Sequence, residues 1–221
     1  MIRPCRVPGC GAHTTRYGTF CPTHKSNLRR HGHAEQTAVT KAELAPFVAL
    51  VRKRIEKNAE NATWAHSEAR WQTVVDHARA ILGEAKRGVP GSRFERTAAS
   101  EAAVLGEAVT PRAIIETAFA VYLLQDHDPR RLRSDEAFRA QLVRRLRGLS
   151  EANVDEWPSG AGGRAKRVQR DIPPRAVLIM AQWIGEALGG VGVHLARLEA
   201  RDREERAASA AGLAEAMRGL Q

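Results

Sequence analysis

The chain has 221 residues, room for one or two packed domains beside a small module, and 43% of them are apolar, which excludes wholesale disorder. Lys and Arg number 35 against 25 Asp and Glu, giving a formal charge of +10 and an isoelectric point near 10.3. That balance points to a polyanionic partner, DNA or RNA before an anionic membrane. No apolar run reaches the length of a spanning helix and no targeting peptide is visible, so a cytoplasmic protein with no membrane partner is expected.

All three cysteines lie at the N-terminus. Cys5 and Cys10 form one pair and Cys21 and His24 another, in the spacing C-x4-C-x10-C-x2-H. Two close pairs on tight turns let a short segment close a tetrahedron around Zn²⁺, with Gly9 and Gly11 free to take positive φ. Metal binding would supply the folding free energy that so few large apolar residues cannot. A disulfide plus one free thiol fits the odd count poorly, and a catalytic Cys21/His24 pair leaves Cys5 and Cys10 idle. His13 is a rival ligand, but the close spacing favours His24. Four protein donors leave no open position for hydrolytic metal chemistry.

With these residues in place, the run from Cys5 to Gly32 resembles a small zinc module at the N-termini of bacteriophage and mobile-element proteins, including some HNH-type endonucleases. The shared features are the C-x4-C pair, Gly18 before the third cysteine, the C-x2-H pair and the ending Arg29-Arg30-His31-Gly32. The resemblance covers about an eighth of the chain and transfers a binding role better than an activity. It implies metal ligation by Cys5, Cys10, Cys21 and His24 and nucleic-acid contact by Lys25, Arg29 and Arg30.

Along the chain, a short helix is expected from Thr23 to Arg30, and the module ends near His33. Thr40 with Glu43 three residues on is a capping-box signature for a helix reaching about Lys57. Leu44, Phe47, Val48, Val51 and Ile55 share one face, and Arg52, Lys53, Arg54 and Lys57 another. A solvated face explains such a row, and so does phosphate contact beside a zinc module. After a break at 58–61, Thr63 opens a long helix to about Arg87. Trp64, Trp71, Val74, Ala78, Ile81 and Ala85 recur along it at heptad-like spacing, so it packs on a partner helix, in the same chain or in a second copy. Residues 93–108 form an alanine-rich helix. Thr110-Pro111 starts another, apolar on nearly all faces from Ile114 to Leu124 and therefore central.

That helix ends at Asp126-His127-Asp128-Pro129, which invites comparison with an HNH nuclease using His127 and Asn153. The residues between them read as a helix capped by Ser134 where a hairpin is required, and no third His follows before His194. A nuclease therefore ranks below the binding readings. The Ser134 helix and its approach are rich in arginine, Arg144 and Arg145 included, with few acidic residues nearby. Phosphate contact is the simplest reason to keep that surplus. Ser159 to Gly163 precede Arg164, Lys166, Arg167 and Arg170, a glycine-rich basic stretch without Walker spacing, either a linker or a loop ordered by nucleic acid. Pro173-Pro174 opens an apolar helix that Gly189, Gly190 and Gly192 should kink or end. A last helix from Val193 carries Leu213, Met217 and Leu220 as a stripe suited to assembly.

No strand is expected outside the zinc module. The chain reads as mainly α: zinc module and connector over 1–39, a helical domain over 40–150, a flexible basic linker over 151–174 and C-terminal helices over 175–221. The expected function is non-catalytic, zinc-dependent nucleic-acid binding, DNA before RNA. The metal would present Arg16, Lys25, Arg29 and Arg30, and Arg52, Lys53, Arg144, Arg145, Arg164, Lys166 and Arg167 would add basic surface. A protein partner or second copy would use the helical seam. The alternative is a helical adaptor of a larger assembly, with zinc serving only to fold its N-terminus.

Overall fold

The computed structural model describes residues 3–15, 17–157 and 166–218. Among them, seven α-helices and one short hairpin follow the N-terminal metal-ligand turn. After α1 (Pro22–His31), α2 (Lys41–Lys57) begins with both halves of the capping box: Glu43 N donates to Thr40 Oγ1 and Thr40 N to Glu43 Oε2, each at 3.1 Å. Asn61 caps α3 (Ala62–Lys86), Ser92 caps α4 (Arg93–Ala108), Thr110 caps α5 (Pro111–His127) and Ser134 caps α6 (Asp135–Arg147). Each cap satisfies an amide that the first turn leaves unpaired, for about 1 kcal/mol.

One hydrophobic cluster gathers residues from Val39 to Ala196. At its centre is α5, with Ile114, Ile115, Phe119 and Val121 fully buried, as its all-round apolar sequence requires. α3 and α4 pack side by side. A Cβ on Gly106 would stand 2.6 Å from Val75 Cγ1, so this glycine sets their approach. Trp71 and Ala78 of the heptad-like seam are buried inside the chain, and His77 meets Trp183 of α7 (Pro174–Arg218) edge-on at 5.1 Å.

The expected break at Gly189–Gly192 does not occur, because α7 runs unbroken through it. Those glycines serve packing instead: a Cβ on Gly192 would lie 2.6 Å from Tyr122 Cδ2, and one on Gly189 3.1 Å from the Tyr122 hydroxyl. Unbroken, α7 contains an 18-residue window of mean hydropathy 1.5, long and apolar enough to cross a membrane, where the sequence reading found no such stretch. Gln182 and Glu186 interrupt its apolar run, so no continuous stretch of spanning length stands out along the sequence. Within that window Met180, Ile184 and Leu188 are buried against other helices of the cluster. A second difference is the antiparallel hairpin of β1 (Val154–Trp157) and β2 (Lys166–Gln169), where no strand was expected. Four-residue strands are too short for alternation to register.

The N-terminal module is fastened to the body at α6. Gly32 ends α1 at φ +78°, and a Cβ there would fall 2.4 Å from Glu136 O, so both conformation and space demand glycine. Buried His31 and Gln141 meet at 3.2 Å between Nδ1 and Nε2, while Gln141 Oε1 accepts from Val39 N at 2.8 Å. Gln36, also buried, donates to Thr37 O at 2.7 Å and accepts from Arg133 N at 3.0 Å. Arg131 closes the connector with bonds to Glu43 and, at 3.0 Å, to Ala38 O.

Candidate metal centre and its basic surroundings

The four expected donors converge. The Sγ atoms of Cys5, Cys10 and Cys21 and one ring nitrogen of His24 all lie within 4.8 Å of one another. His24 Nδ1 is 3.3 Å from both Cys5 Sγ and Cys21 Sγ, so Nδ1 is the ring nitrogen turned toward the sulfurs. A tetrahedral ion with bonds of about 2.3 Å to sulfur and about 2.0 Å to nitrogen sets S···N near ~3.5 Å and S···S near ~3.8 Å, which those separations bracket. No cysteine is in a disulfide. Three thiols and an imidazole are the donor set that Zn²⁺ takes in closed structural sites.

Local backbone explains the convergence. Gly9 at φ +74° completes the Pro8-Gly9 turn, and Cys10 N donates to Val7 O at 3.1 Å. Gly11, expected to share that role, does not take positive φ. A bridge between Pro4 and His13 folds the first knuckle, leaving His13 exposed and outside the donor cluster. Gly18 N donates to Thr15 O at 2.9 Å and returns the chain to Cys21, the N-cap of α1, with Pro22 next and His24 in the first turn. The sulfurs are electrostatically primed. Burial pushes the Cys5 thiol up, but the Cys21 and Val7 amides and His24 favour the thiolate more and bring it to about 6. For Cys10 the Ala12 amide favours the thiolate, yet burial and the neighbouring Cys5 and Cys21 sulfurs prevail and raise it. One thiolate thus opposes the next, and a divalent cation at the centre removes that opposition.

The basic candidates scatter into different settings. Lys25 is exposed on α1, beside a groove of about 710 Å³ floored by Leu28, Ala140, Val177 and Leu178. Arg29 and Arg30, also exposed, bond Asp171 Oδ2 at 3.4 and 2.9 Å. Arg52 reaches Glu116 at 2.9 Å, and Lys53 is exposed. Arg144 and Arg145 are half-buried, and Arg145 donates to Val39 O at 3.4 Å. Burial lowers both guanidiniums, though neither approaches deprotonation. Arg16 and Arg164 lie outside the described residues, as does the glycine run before Arg164. Lys166 and Arg167 are placed only as backbone in β2.

Local charge arithmetic overstated the free charge of the Ser134 helix and its approach. Arg131 is paired with Glu43 and buried Arg147 with Glu101 at 2.7 Å, partners far away in sequence. The sequence reading missed Arg147, Glu101 and Asp171 as members of one neighbourhood. Only the fold brings them together, and no local spacing signals it. His127, weighed as a nuclease residue, bonds Arg203 at 2.8 Å and meets Phe47 edge-on at 5.5 Å. Among the described residues it belongs to no cluster of three metal donors. No protein-family model, curated protein or solved structure matches the chain.

Proposed function

We propose that this protein is a zinc-dependent nucleic-acid-binding protein without catalytic activity, with DNA preferred over RNA. The observation that carries the reading is the convergence of Cys5, Cys10, Cys21 and His24 at the start of α1, the helix that exposes Lys25, Arg29 and Arg30. Zn²⁺ bound there would fix the base of a cationic helix, and the Gly32–Glu136 contact would hold its far end on the body. The formal charge of +10 supplies the long-range attraction to phosphate. A cytoplasmic location and a bacterial, phage or mobile-element setting belong to the same proposal, the latter resting on the Cys5–Gly32 resemblance.

Fluorescence anisotropy tests it, with labelled duplex DNA, single-stranded DNA and RNA titrated in rising salt against zinc-loaded and chelator-treated protein. The proposal expects zinc-dependent binding that survives physiological salt and favours duplex DNA. Binding that ignores chelation and disappears with salt would favour the adaptor reading instead. A specific feature supports that second reading. Residues 203–218 of α7 are exposed throughout, Leu213 at 65% and Met217 at 62%, which suits capture of a protein partner or second copy.

A further inference from the structure

Where α1, α6 and the start of α7 meet, they border a half-open cavity of about 300 Å³. Arg29, Arg30, Arg144 and Arg147 line it, with Asp171 as the one carboxylate among its lining residues. The inner arginines are unlike surface ones. Arg147 is buried, its Nε donates to Glu101 at 2.7 Å, and among the described residues its Nη2 has no hydrogen-bond partner. Arg144 is half-buried, and among the described residues its guanidinium makes no hydrogen bond or ion pair. With Glu101 included, four cations face two carboxylates, a surplus of two. Removing such groups from water with part of their donors unpaired is costly, and an anion entering the cavity would reverse that cost.

Two further features share the sign. Pro174 on the cavity wall is the first residue of α7, so the positive end of a 45-residue helix borders the space. Next to it, burial and then the charges of Arg144 and Arg30 hold the His31 imidazole below its usual range. Several guanidinium forks around one cavity exceed what a flat carboxylate can use, whereas a phosphate group offers oxygens in several directions.

We propose that this cavity is a phosphate-binding site, with Asp171 as the resident counter-ion that an incoming phosphate displaces from Arg29 and Arg30. The phosphate is a phosphodiester of the bound nucleic acid, and that choice of source rests on the function proposed above. The recognition chemistry does not. Asp171 would thereby set the threshold for engagement, since only an anion better matched than its carboxylate gains both arginines.

The test uses the full chain, zinc-loaded, as wild type and as Arg30→Gln, Arg144→Gln and Asp171→Asn. Unchanged zinc content and circular dichroism establish that each variant is folded. Inorganic phosphate is titrated calorimetrically, and labelled duplex DNA by anisotropy. Arg30→Gln and Arg144→Gln should each weaken phosphate binding about tenfold, and Asp171→Asn should strengthen it about threefold. Phosphate binding that is absent, or equal in all four proteins, overturns the proposal. If phosphate follows the expected order but the wild type binds no DNA, the site stands as one for free phosphate or a phosphomonoester, and the nucleic-acid reading falls. If DNA binding needs zinc but ignores all three substitutions, and phosphate does not compete, the site falls and that reading stands.

Discussion

The N-terminal module and the helical body are held together differently. The module's own buried cluster consists of Cys5, Val7, Cys21 and Ala34, two of them metal donors, whereas the body buries Trp71, Phe119, Ile114, Ile184 and many more around α5. Small side chains release too little apolar area to offset the entropy of ordering the segment, so the module depends on its donors. The body is held by its apolar core. This division makes each half separately breakable.

Cys21→Ser has the largest expected effect, because structural zinc contributes about 10–16 kcal/mol to folding its segment. Bound zinc should be lost and α1 should unfold, while the melting transition of the body persists, as read by metal analysis and thermal circular dichroism. Phe119→Ala does the reverse. It opens a cavity in a fully buried site, should cost about 3–5 kcal/mol in denaturant unfolding and should leave zinc content unchanged.

Smaller changes sharpen the comparison inside the body. Gly192→Ala puts a methyl group into the Tyr122 ring and should cost about 1–3 kcal/mol. Gly185→Ala in the same helix meets nothing within 4 Å and should stabilise by about 0.5–1 kcal/mol. Opposite signs in one unfolding series would establish that the α7 glycines are packing devices rather than hinges.

The smallest expected effect is at the seam between the halves. Burial, with Arg144 and Arg30, lowers the His31 pKa in the folded state, so below about pH 6.5 the unfolded chain binds the extra proton first. Stability of the seam is therefore complete above that pH and falls as pH drops from there toward the lower folded value. An NMR titration of the His31 ring should give a midpoint below the free-histidine value, and a midpoint at or above it would remove the buried His31–Gln141 contact from the account.

What was legible in the sequence follows the same division. Donor spacing located the cluster of Cys5, Cys10, Cys21 and His24 because coordination chemistry is local, and the caps at Thr40, Thr110 and Ser134 marked true helix starts for the same reason. The Trp71 face and the all-apolar α5 announced burial through periodicity. Long-range pairing was not legible. Asp171 meets Arg29 and Arg30 across some 140 residues, and Glu101 reaches Arg147 from another helix, so charge counting along the chain left those arginines without partners. The run through Gly189–Gly192 was illegible for a related reason. Only the position of Tyr122 shows that those residues are small in order to admit a ring rather than to bend a helix.

X-ray absorption at the zinc edge of the zinc-loaded full chain reads the donor set of Cys5, Cys10, Cys21 and His24 itself. The expected result is one zinc per chain with three sulfur neighbours at about 2.3 Å and one nitrogen at about 2.0 Å. A shell of oxygen neighbours, or fewer than three sulfurs, would contradict it.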